Sequence, residues 1–198
     1  MTAFGSQFGT IMITAPLRIF DIFLSIVGLL LTLPVMLLIS VLSMVETGRP
    51  IFLQERVGRN KDPFILLKFR TMAPNTPSLA THLASSHAVT PLGRFLRRAK
   101  LDELPQLWNV LKGEMSLVGP RPGLPNQPEL TFAREKLGIF KVRPGITGLA
   151  QINGIDMSTP ELLAQTDARM IAEMSVRNYF KYIFLTVLGK GGGDCIRS

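Results

Sequence analysis

The sequence contains a single cysteine, Cys195, in a chain of 198 residues. One cysteine excludes a disulfide framework and a zinc site built from cysteines. The two histidines, His82 and His87, lie in a polar stretch without a nearby set of acidic ligands, which argues against a metal site there. The chain also lacks a phosphate-binding glycine-rich loop, a dinucleotide-binding fingerprint and a nucleophile elbow. None of these widespread catalytic motifs therefore explains the chain.

Charge is absent from residues 22–45. At about 1.5 Å per residue, a helix of this length covers about 36 Å, enough to cross a hydrocarbon core of about 30 Å. A secretory signal peptide fits poorly because the apolar run is too long and no small-residue cleavage site follows it. Hydropathy alone favours a spanning helix. The alternative is a helix that bends at Pro34, where the Leu30 carbonyl loses its donor, and returns to the same face. Asp21 opens the run and is expected near the lipid headgroups.

Basic residues outnumber acidic ones, and the excess is local. The formal net charge is +8, of which residues 49–112 carry +7. A basic region beside an apolar segment indicates an anionic partner, such as a phosphorylated ligand, a nucleic acid or a lipid surface. Aromatic residues are not interleaved with these basic residues, so no nucleic-acid partner is expected. The positive-inside rule places the C-terminal bulk of the chain in the cytoplasm.

Apolar runs and turn residues predict the minor elements. Residues 50–53 and 64–69 are predicted to be strands of a hairpin around the turn residues 58–60. Residues 74–91, rich in Pro, Ser, Thr and His, predict a loop. A late amphipathic helix is predicted over residues 160–188.

An acidic pair, Asp102 and Glu103, falls within a helical pattern over residues 91–111. Pro105 divides this pattern, so a second helix is predicted to begin at the acidic pair and to stop at Gly113. Neighbouring basic residues would keep a carboxylate there ionised and usable as a nucleophile or a Mg²⁺ ligand. Helix capping and surface pairing are the alternative interpretation. Trp108 is expected in the core or at the membrane interface.

Two loops rich in glycine and proline each carry an arginine. Arg121 lies in residues 119–123 and Arg143 in residues 143–148. Backbone amides and a fixed guanidinium suit phosphate oxygens. Pairing of both arginines with structural carboxylates is the alternative.

Several segments, taken in this order, resemble the bacterial sugar transferases known as monotopic phosphoglycosyl transferases, particularly the small single-domain members. The matching segments are residues 18–21 (RIFD), 54–58 (QERVG), 68–72 (KFRTM), 101–106 (LDELPQ), 109–113 (NVLKG), 115–122 (MSLVGPRP) and 143–154 (RPGITGLAQING). Any one string is weak support, whereas the ordered set covers most of the chain and is highly specific.

The resemblance implies a membrane enzyme that moves a sugar-1-phosphate from a nucleoside diphosphate sugar, a UDP-hexose or UDP-N-acetylhexosamine, to undecaprenyl phosphate and releases UMP. This reaction would initiate a lipid-linked glycan such as an exopolysaccharide, an O-antigen or a glycoprotein glycan. Asp102 would be the nucleophile that carries a covalent phosphosugar, and Glu103 would support it, both as ligands of Mg²⁺. The substrate- and phosphate-binding residues expected from the resemblance are Lys68, Arg97, Arg121, Arg143, Gln151 and Asp167.

The resemblance also implies a mixed α/β, membrane-associated, monotopic fold. Residues 1–47 would form a re-entrant helix-break-helix with its break at Pro34, which reverses the interpretation from hydropathy. Residues 48–188 would form a helix-rich cytoplasmic catalytic domain with a few short strands and amphipathic interfacial helices, and residues 189–198 a glycine-rich tail. The implied location is the bacterial inner membrane, with the active site on the cytoplasmic face. The expected partners are a UDP-sugar, undecaprenyl phosphate and inner-membrane lipid, with a homodimer left open.

The chain departs from the family pattern in two places. A Ser-Pro pair often marks the helix break, whereas here a leucine precedes Pro34, and Thr32 is expected to bond a freed carbonyl instead. Asp167 matches an acidic position, but Met170 stands where a tyrosine is expected and Tyr179 where a second acidic residue is expected. These changes concern the donor-sugar contacts more than the phosphoryl chemistry.

A non-enzymatic alternative remains at this stage. The apolar segment and the basic region would suffice for a catalytically inactive, membrane-anchored adaptor that binds anionic lipid or an assembly partner. Such an adaptor would keep its function in an Asp102→Asn variant, whereas the enzyme would not.

Overall fold

The computed structural model describes residues 3–74, 76 and 88–191, with side chains from Pro16 onward. His82, His87 and Cys195 lie outside these residues, as do most of the loop predicted over residues 74–91 and the tail beyond Gly191. The fold is mixed and helix-rich, as predicted. Its elements are α1 (Ala3–Thr47), β1 (Ile51–Val57), β2 (Pro63–Phe69), α2 (Pro91–Arg98), α3 (Gln106–Lys112), β3 (Ser116–Val118), α4 (Pro128–Lys136), β4 (Gly145–Thr147), α5 (Leu149–Ile152), α6 (Pro160–Ala172) and α7 (Val176–Val187).

The apolar segment forms the long helix α1, which continues through Pro34, so the break predicted at this residue does not interrupt the helix. Among the described helices, its segment Pro16–Thr47 is the one long and apolar enough to cross a bilayer, and only 11% of its most apolar window is buried. Thr32 Oγ1 donates to the Gly28 carbonyl at 2.7 Å. The expected bond to a carbonyl freed by the proline was therefore wrong, because the hydroxyl reaches back one turn from its own position and not to Leu30.

One stripe of α1 packs against the rest of the protein. Its buried residues recur with four-residue spacing at each end of the helix and are Leu17, Asp21, Ser25, Ile39, Ser43 and Thr47. Between the two ends lies Gly28, where an added Cβ would come 3.1 Å from a methyl carbon of Leu107 in α3. The small residue therefore allows α3 to approach the middle of the long helix.

Asp21 is buried inside the protein, with an exposed fraction of 3%. Its Oδ1 accepts hydrogen bonds from Ser116 Oγ at 2.9 Å, the Leu117 amide at 2.9 Å and the Tyr179 hydroxyl at 2.8 Å. Arg18 Nη1 lies 3.6 Å from Oδ2. These donors replace water around a charge that would otherwise be costly to bury. Burial, reinforced by the Asp21 carboxylate, raises the pKa of Tyr179 well above its usual value.

The predicted hairpin is confirmed. β1 and β2 pair antiparallel from Ile51↔Phe69 to Val57↔Pro63, so β1 extends four residues beyond the predicted strand. The intervening turn places Asn60 at φ 57° and Lys61 at φ 68°. The main core beneath this hairpin contains Leu17, Phe64, Leu66, Val110, Met115, Leu117, Val118, Met170, Tyr179 and Tyr182. The two residues that depart from the family pattern, Met170 and Tyr179, are thus core residues.

A second small sheet was not predicted. β3 and β4 pair in parallel, with Ser116 opposite Gly145 and Val118 opposite Thr147. A glycine lets β4 approach the end of β3 closely, since a Cβ at Gly145 would overlap the backbone of Gly119. The sequence predicted only a loop at β4 because a three-residue strand rich in glycine carries no alternating pattern.

The single late helix predicted over residues 160–188 is wrong, because two helices, α6 and α7, occupy this region. Ser175 caps α7, its hydroxyl accepting from the Asn178 amide at 3.2 Å. Asn178 Nδ2 in turn donates to the Glu173 carbonyl at 2.7 Å. These local bonds compete with a continuous helix and set the boundary between α6 and α7.

Candidate active site

The acidic pair lies in a tight turn between α2 and α3. This 3-10 turn, Leu101–Glu103, follows Lys100, whose left-handed φ of 56° redirects the chain after α2. α3 begins at Gln106, with Pro105 as its N-cap. The prediction that the second helix begins at the acidic pair was therefore wrong, since the pair precedes the helix. The predicted stop is confirmed by Gly113, at φ 86°.

Both carboxylates are largely withdrawn from solvent. Asp102 is 2% exposed and Glu103 is 9% exposed. Two adjacent buried acids require compensating charge or hydrogen bonds, because an isolated buried carboxylate is strongly disfavoured. Glu103 Oε1 accepts a hydrogen bond from Arg121 Nη2 at 3.2 Å. Carboxylates this buried do not fit the interpretation as surface ion pairs.

Arg97 and Lys68 belong to α2 and β2, two elements that contact the acidic turn. Arg97 is 9% exposed, and its Nε donates to Thr71 Oγ1 at 2.9 Å. Lys68 is also buried, with its ammonium nitrogen 5.7 Å from the centre of the Phe52 ring. The structure therefore gathers Arg97, Lys68 and Arg121 on elements that meet around the acidic turn.

The hairpin contributes two buried polar residues that the sequence analysis did not single out as site residues. Arg56 Nη2 donates to Gln54 Oε1 at 2.6 Å, and Arg56 Nη1 donates to the Pro122 carbonyl at 2.9 Å. β1 buries polar side chains and exposes an apolar one, since Gln54 and Arg56 are buried while Leu53 is 59% exposed. The alternation of Gln54 and Arg56 along a strand was the signal that could have identified them. One sequence, however, does not show which alternate set of side chains in a strand is buried.

Gln151 and Asp167 lie behind the loop that carries Arg121. Gln151 Nε2 donates to the Gly119 carbonyl at 3.3 Å. Asp167 is fully buried, and its Oδ2 accepts from Arg134 Nη2 at 2.7 Å and from Arg134 Nε at 3.1 Å. Burial raises the pKa of Asp167, and Arg134 opposes that rise. Both residues, predicted to contact substrate, are here engaged with the protein.

Arg143 lies at the opposite end of α3 from the acidic pair. Its Nε donates to the carbonyl of Gly113, the residue that ends this helix. Burial, together with the nearby charges of Arg59 and Arg18, lowers the pKa of Arg143. The structure therefore does not bring Arg143 to the acidic turn.

The acidic pair is the candidate donor set for a divalent cation. Within the described ranges, no group of three or more His, Cys, Asp and Glu side chains could hold a metal ion. Mg²⁺ commonly binds through one or two carboxylates together with water and substrate phosphates. Asp102 and Glu103 offer two carboxylates on consecutive residues.

Large apolar side chains are exposed near α1. Trp108 of α3 is 54% exposed and Phe95 of α2 is 60% exposed, and both helices contact α1. The core alternative for Trp108 is therefore wrong. On α7, Phe184 and Val187 are also exposed, at 62% and 80%. These side chains, with the exposed face of α1, suit contact with lipid.

The sequence matches a family model described as bacterial sugar transferase over residues 13–190. It is 37% identical to the uncharacterized sugar transferase EpsL of Bacillus subtilis, over 86% of this chain and 84% of that protein. It is 38% identical to the UDP-glucose:undecaprenyl-phosphate glucose-1-phosphate transferase of Caulobacter vibrioides, over 86% of this chain and 67% of that protein.

Other relatives are much longer than this chain. It is 33% identical to the UDP-galactose-lipid carrier transferase of Erwinia amylovora over 86% of its own length, yet it spans only 39% of that protein. The matching region is thus shared by short and long proteins. The ordered motifs, the family match and the similarity to these relatives agree, and the chain belongs to the bacterial sugar transferase family.

Proposed function

We propose that this protein transfers a sugar-1-phosphate from a UDP-sugar to undecaprenyl phosphate and releases UMP. The observation that carries the proposal is the buried acidic pair, Asp102 and Glu103, with Arg121 bonded to Glu103 at 3.2 Å. The names of the relatives support the classes of donor and acceptor, and they include UDP-glucose and UDP-galactose. The proposed donor is therefore a UDP-hexose or UDP-N-acetylhexosamine.

Asp102 is the proposed nucleophile. One of its carboxylate oxygens attacks the phosphorus that carries the sugar, and the bond from this phosphorus to the bridging oxygen breaks. UMP leaves with that oxygen, and the sugar phosphate stays covalently attached to Asp102. Arg121 and Arg97 would neutralise negative charge on the phosphoryl oxygens as it develops.

Undecaprenyl phosphate completes the transfer. One of its phosphate oxygens attacks the same phosphorus, and the bond from phosphorus to Asp102 breaks. The carboxylate is regenerated, and the product is an undecaprenyl diphosphate sugar. Two steps allow the water-soluble UMP to leave before the lipid phosphate enters the same site. Mg²⁺ held by Asp102 and Glu103 would supply positive charge to the diphosphate.

The proposed anchor is a re-entrant, monotopic α1 over residues 1–47 at the inner membrane, bent at Pro34 within the continuous helix, with the catalytic residues 48–188 on the cytoplasmic side. Both ends of the uncharged run in α1 are flanked by contacts with the same folded unit, since Arg18 bonds the Val110 carbonyl and Glu46 accepts from the Leu92 amide. A spanning helix would separate its two ends by about the thickness of the bilayer. Contacts at both ends therefore support an α1 that enters and leaves by one face.

The reaction is tested by UMP release from detergent-purified protein with a panel of UDP-sugars, undecaprenyl phosphate and Mg²⁺. Release with at least one donor is expected, and Asp102→Asn should abolish it. Asp62→Asn, at an exposed carboxylate, is the matched control and should leave release unchanged. A folded wild-type protein inactive with every nucleotide sugar would favour the membrane-anchored adaptor. An Asp102→Asn variant with full UMP release would instead refute Asp102 as the nucleophile.

The topology is tested by labelling single cysteines in intact cells with a membrane-impermeant thiol reagent. Thr2→Cys and Gly48→Cys, each in a Cys195→Ser background, flank the long helix. A re-entrant helix predicts that both positions are protected until the inner membrane is permeabilised. Labelling of residue 2 in intact cells would show a spanning helix.

A further inference from the structure

The loop that carries Arg121 is held by its carbonyl groups. Two of its residues are prolines, Pro120 and Pro122, which offer no amide donors. Its five consecutive carbonyls each accept a hydrogen bond from a different residue, two of them from neighbouring residues of β1. The bonds are Gln151 Nε2 to Gly119 O at 3.3 Å, Gly145 N to Pro120 O at 2.9 Å, Arg134 Nη1 to Arg121 O at 2.8 Å, Arg56 Nη1 to Pro122 O at 2.9 Å and Val57 N to Gly123 O at 3.0 Å.

Arg134 is the donor nearest to the functional side chain, because it bonds the carbonyl of Arg121 itself. It extends from α4 and is 3% exposed. The same guanidinium donates from Nε and Nη2 to Asp167 of α6, which is fully buried. One planar group thereby connects two helices to the backbone of the loop.

A buried ion pair is a poor choice if stability alone is required. Taking both charges out of water offsets most of their attraction, and apolar residues of similar volume often stabilise a protein as well or better. The rigid fork of an arginine supplies geometry that an apolar pair lacks, namely a third donor at a defined angle to the two that bind the carboxylate. The pair therefore suits a positioning role.

We propose that Arg134, oriented by Asp167, is a positioning residue for the transfer reaction, fixing the backbone of Arg121 so that its guanidinium stays beside Glu103. The inference rests on the function proposed above. Arg134 acts through Arg121 and does not contact substrate. The third donor on the Arg121 carbonyl sets the direction in which that side chain leaves the loop, and the 3.2 Å bond to Glu103 is the result.

The decisive experiment compares Arg134→Met/Asp167→Leu with Arg134→Lys, measuring kcat and KM for UMP release together with thermal unfolding. The double variant replaces the pair with apolar residues and is expected to unfold near the wild-type temperature. Both variants are expected to lower kcat by about 10- to 100-fold, since small misplacement of a catalytic group has effects of this size. KM for the UDP-sugar should change by less than about threefold, because the loss lies in orientation during the reaction.

Glu135→Gln is the matched control. This neighbour on α4 forms an ion pair with Lys61 at 2.6 Å, but the pair is exposed. Its kcat and unfolding temperature should equal those of the wild type. Hydrogen exchange in a peptide covering residues 119–124 gives a readout independent of activity, and it should be faster in the Arg134 variants than in the Glu135 variant.

Each outcome has a definite meaning. A folded variant of Arg134 with wild-type kcat overturns the inference, as does recovery of kcat in the double variant in step with its stability. If the double variant does not fold, Arg134→Lys decides by the same criterion. A wild-type protein that releases no UMP from any donor refutes the proposed function instead, and faster exchange at residues 119–124 would then show only that the pair holds the loop.

Discussion

Arginines from other parts of the protein contact both ends of α3, but with different partners. At the C-terminal end, Arg18 Nη2 donates to the Val110 carbonyl at 2.6 Å and to the Leu111 carbonyl at 3.2 Å. Arg143 donates to the Gly113 carbonyl at 2.8 Å. The last carbonyls of a helix have no partners within it, so these guanidiniums cap α3 and interact favourably with its dipole.

At the N-terminal end, the arginine partner is a carboxylate. Arg121 meets Glu103 in the turn before α3, next to the proposed nucleophile Asp102. A guanidinium bonded to backbone carbonyls stabilises the fold, whereas one beside an acidic pair can exchange part of its interaction for a phosphate. Arginines contact both ends of α3, so proximity to basic residues does not by itself define the candidate site. α3 therefore joins an end capped by two arginines to the proposed reacting end.

The largest expected effect is on the reacting end. Arg121→Gln should lower kcat for UMP release by about 100- to 1,000-fold, because it removes a preorganised donor to developing charge. The unfolding temperature should change little, since the carbonyl bonds of the loop do not involve this side chain. Arg169→Gln, at an arginine 71% exposed in its ion pair with Glu173, is the control and should keep wild-type kcat. Equal kcat in both variants would contradict the assignment.

The next effect is on stability, near the arginine-capped end of α3, where Arg18 also lies beside Asp21. Asp21→Asn should destabilise the protein by about 3 kcal/mol, because three donors and Arg18 lose a charged partner in a buried position. Thermal unfolding in detergent should shift down by about 6–12 °C. Asp62→Asn provides an exposed comparison with no expected shift. An unchanged unfolding temperature for Asp21→Asn would show that the carboxylate is not needed there.

The sequence predicted the parts of the fold that carry periodic or turn signals. The hairpin and the helix stop at Gly113 were predicted because their signals are local. The parallel pair β3 and β4 was missed because its partners are about thirty residues apart and each strand has only three residues. The break between α6 and α7 was missed because it depends on the Ser175 cap rather than on a loss of apolar spacing.

Some residues of the candidate site could likewise be predicted from local sequence signals, and others could not. The acidic pair stands out in the sequence because it follows a series of basic residues, and Arg121 because it lies in a loop rich in glycine and proline. The Arg134–Asp167 contact could not be predicted, since it joins two helices across the loop and neither residue interrupts its helical pattern. The burial of Asp21 was missed for a related reason, because hydropathy describes the helix and not the surface against which it packs.

A smaller effect should appear at alkaline pH. Because burial and the Asp21 carboxylate raise the pKa of Tyr179, the folded state keeps this proton above pH 10, where unfolded tyrosine loses it. Stability should therefore be unaffected by this group below pH 10 and should fall above it, by about 1.4 kcal/mol per pH unit. Tyr179→Phe should have a shallower decline in the free energy of unfolding between pH 10 and 11. Parallel curves for the two proteins would refute this assignment.

The smallest expected effect decides how far the site extends along α3. The sequence predicts Arg143 as a phosphate clamp, whereas its bond to the Gly113 carbonyl predicts a helix cap. For a cap, Arg143→Gln should cost about 1 kcal/mol of stability and reduce kcat by less than about threefold. For a clamp, kcat should fall as far as in Arg121→Gln. Measuring both variants under the same conditions separates the possibilities, because only a clamp would require substrate phosphates to reach beyond the acidic turn to the opposite end of the helix.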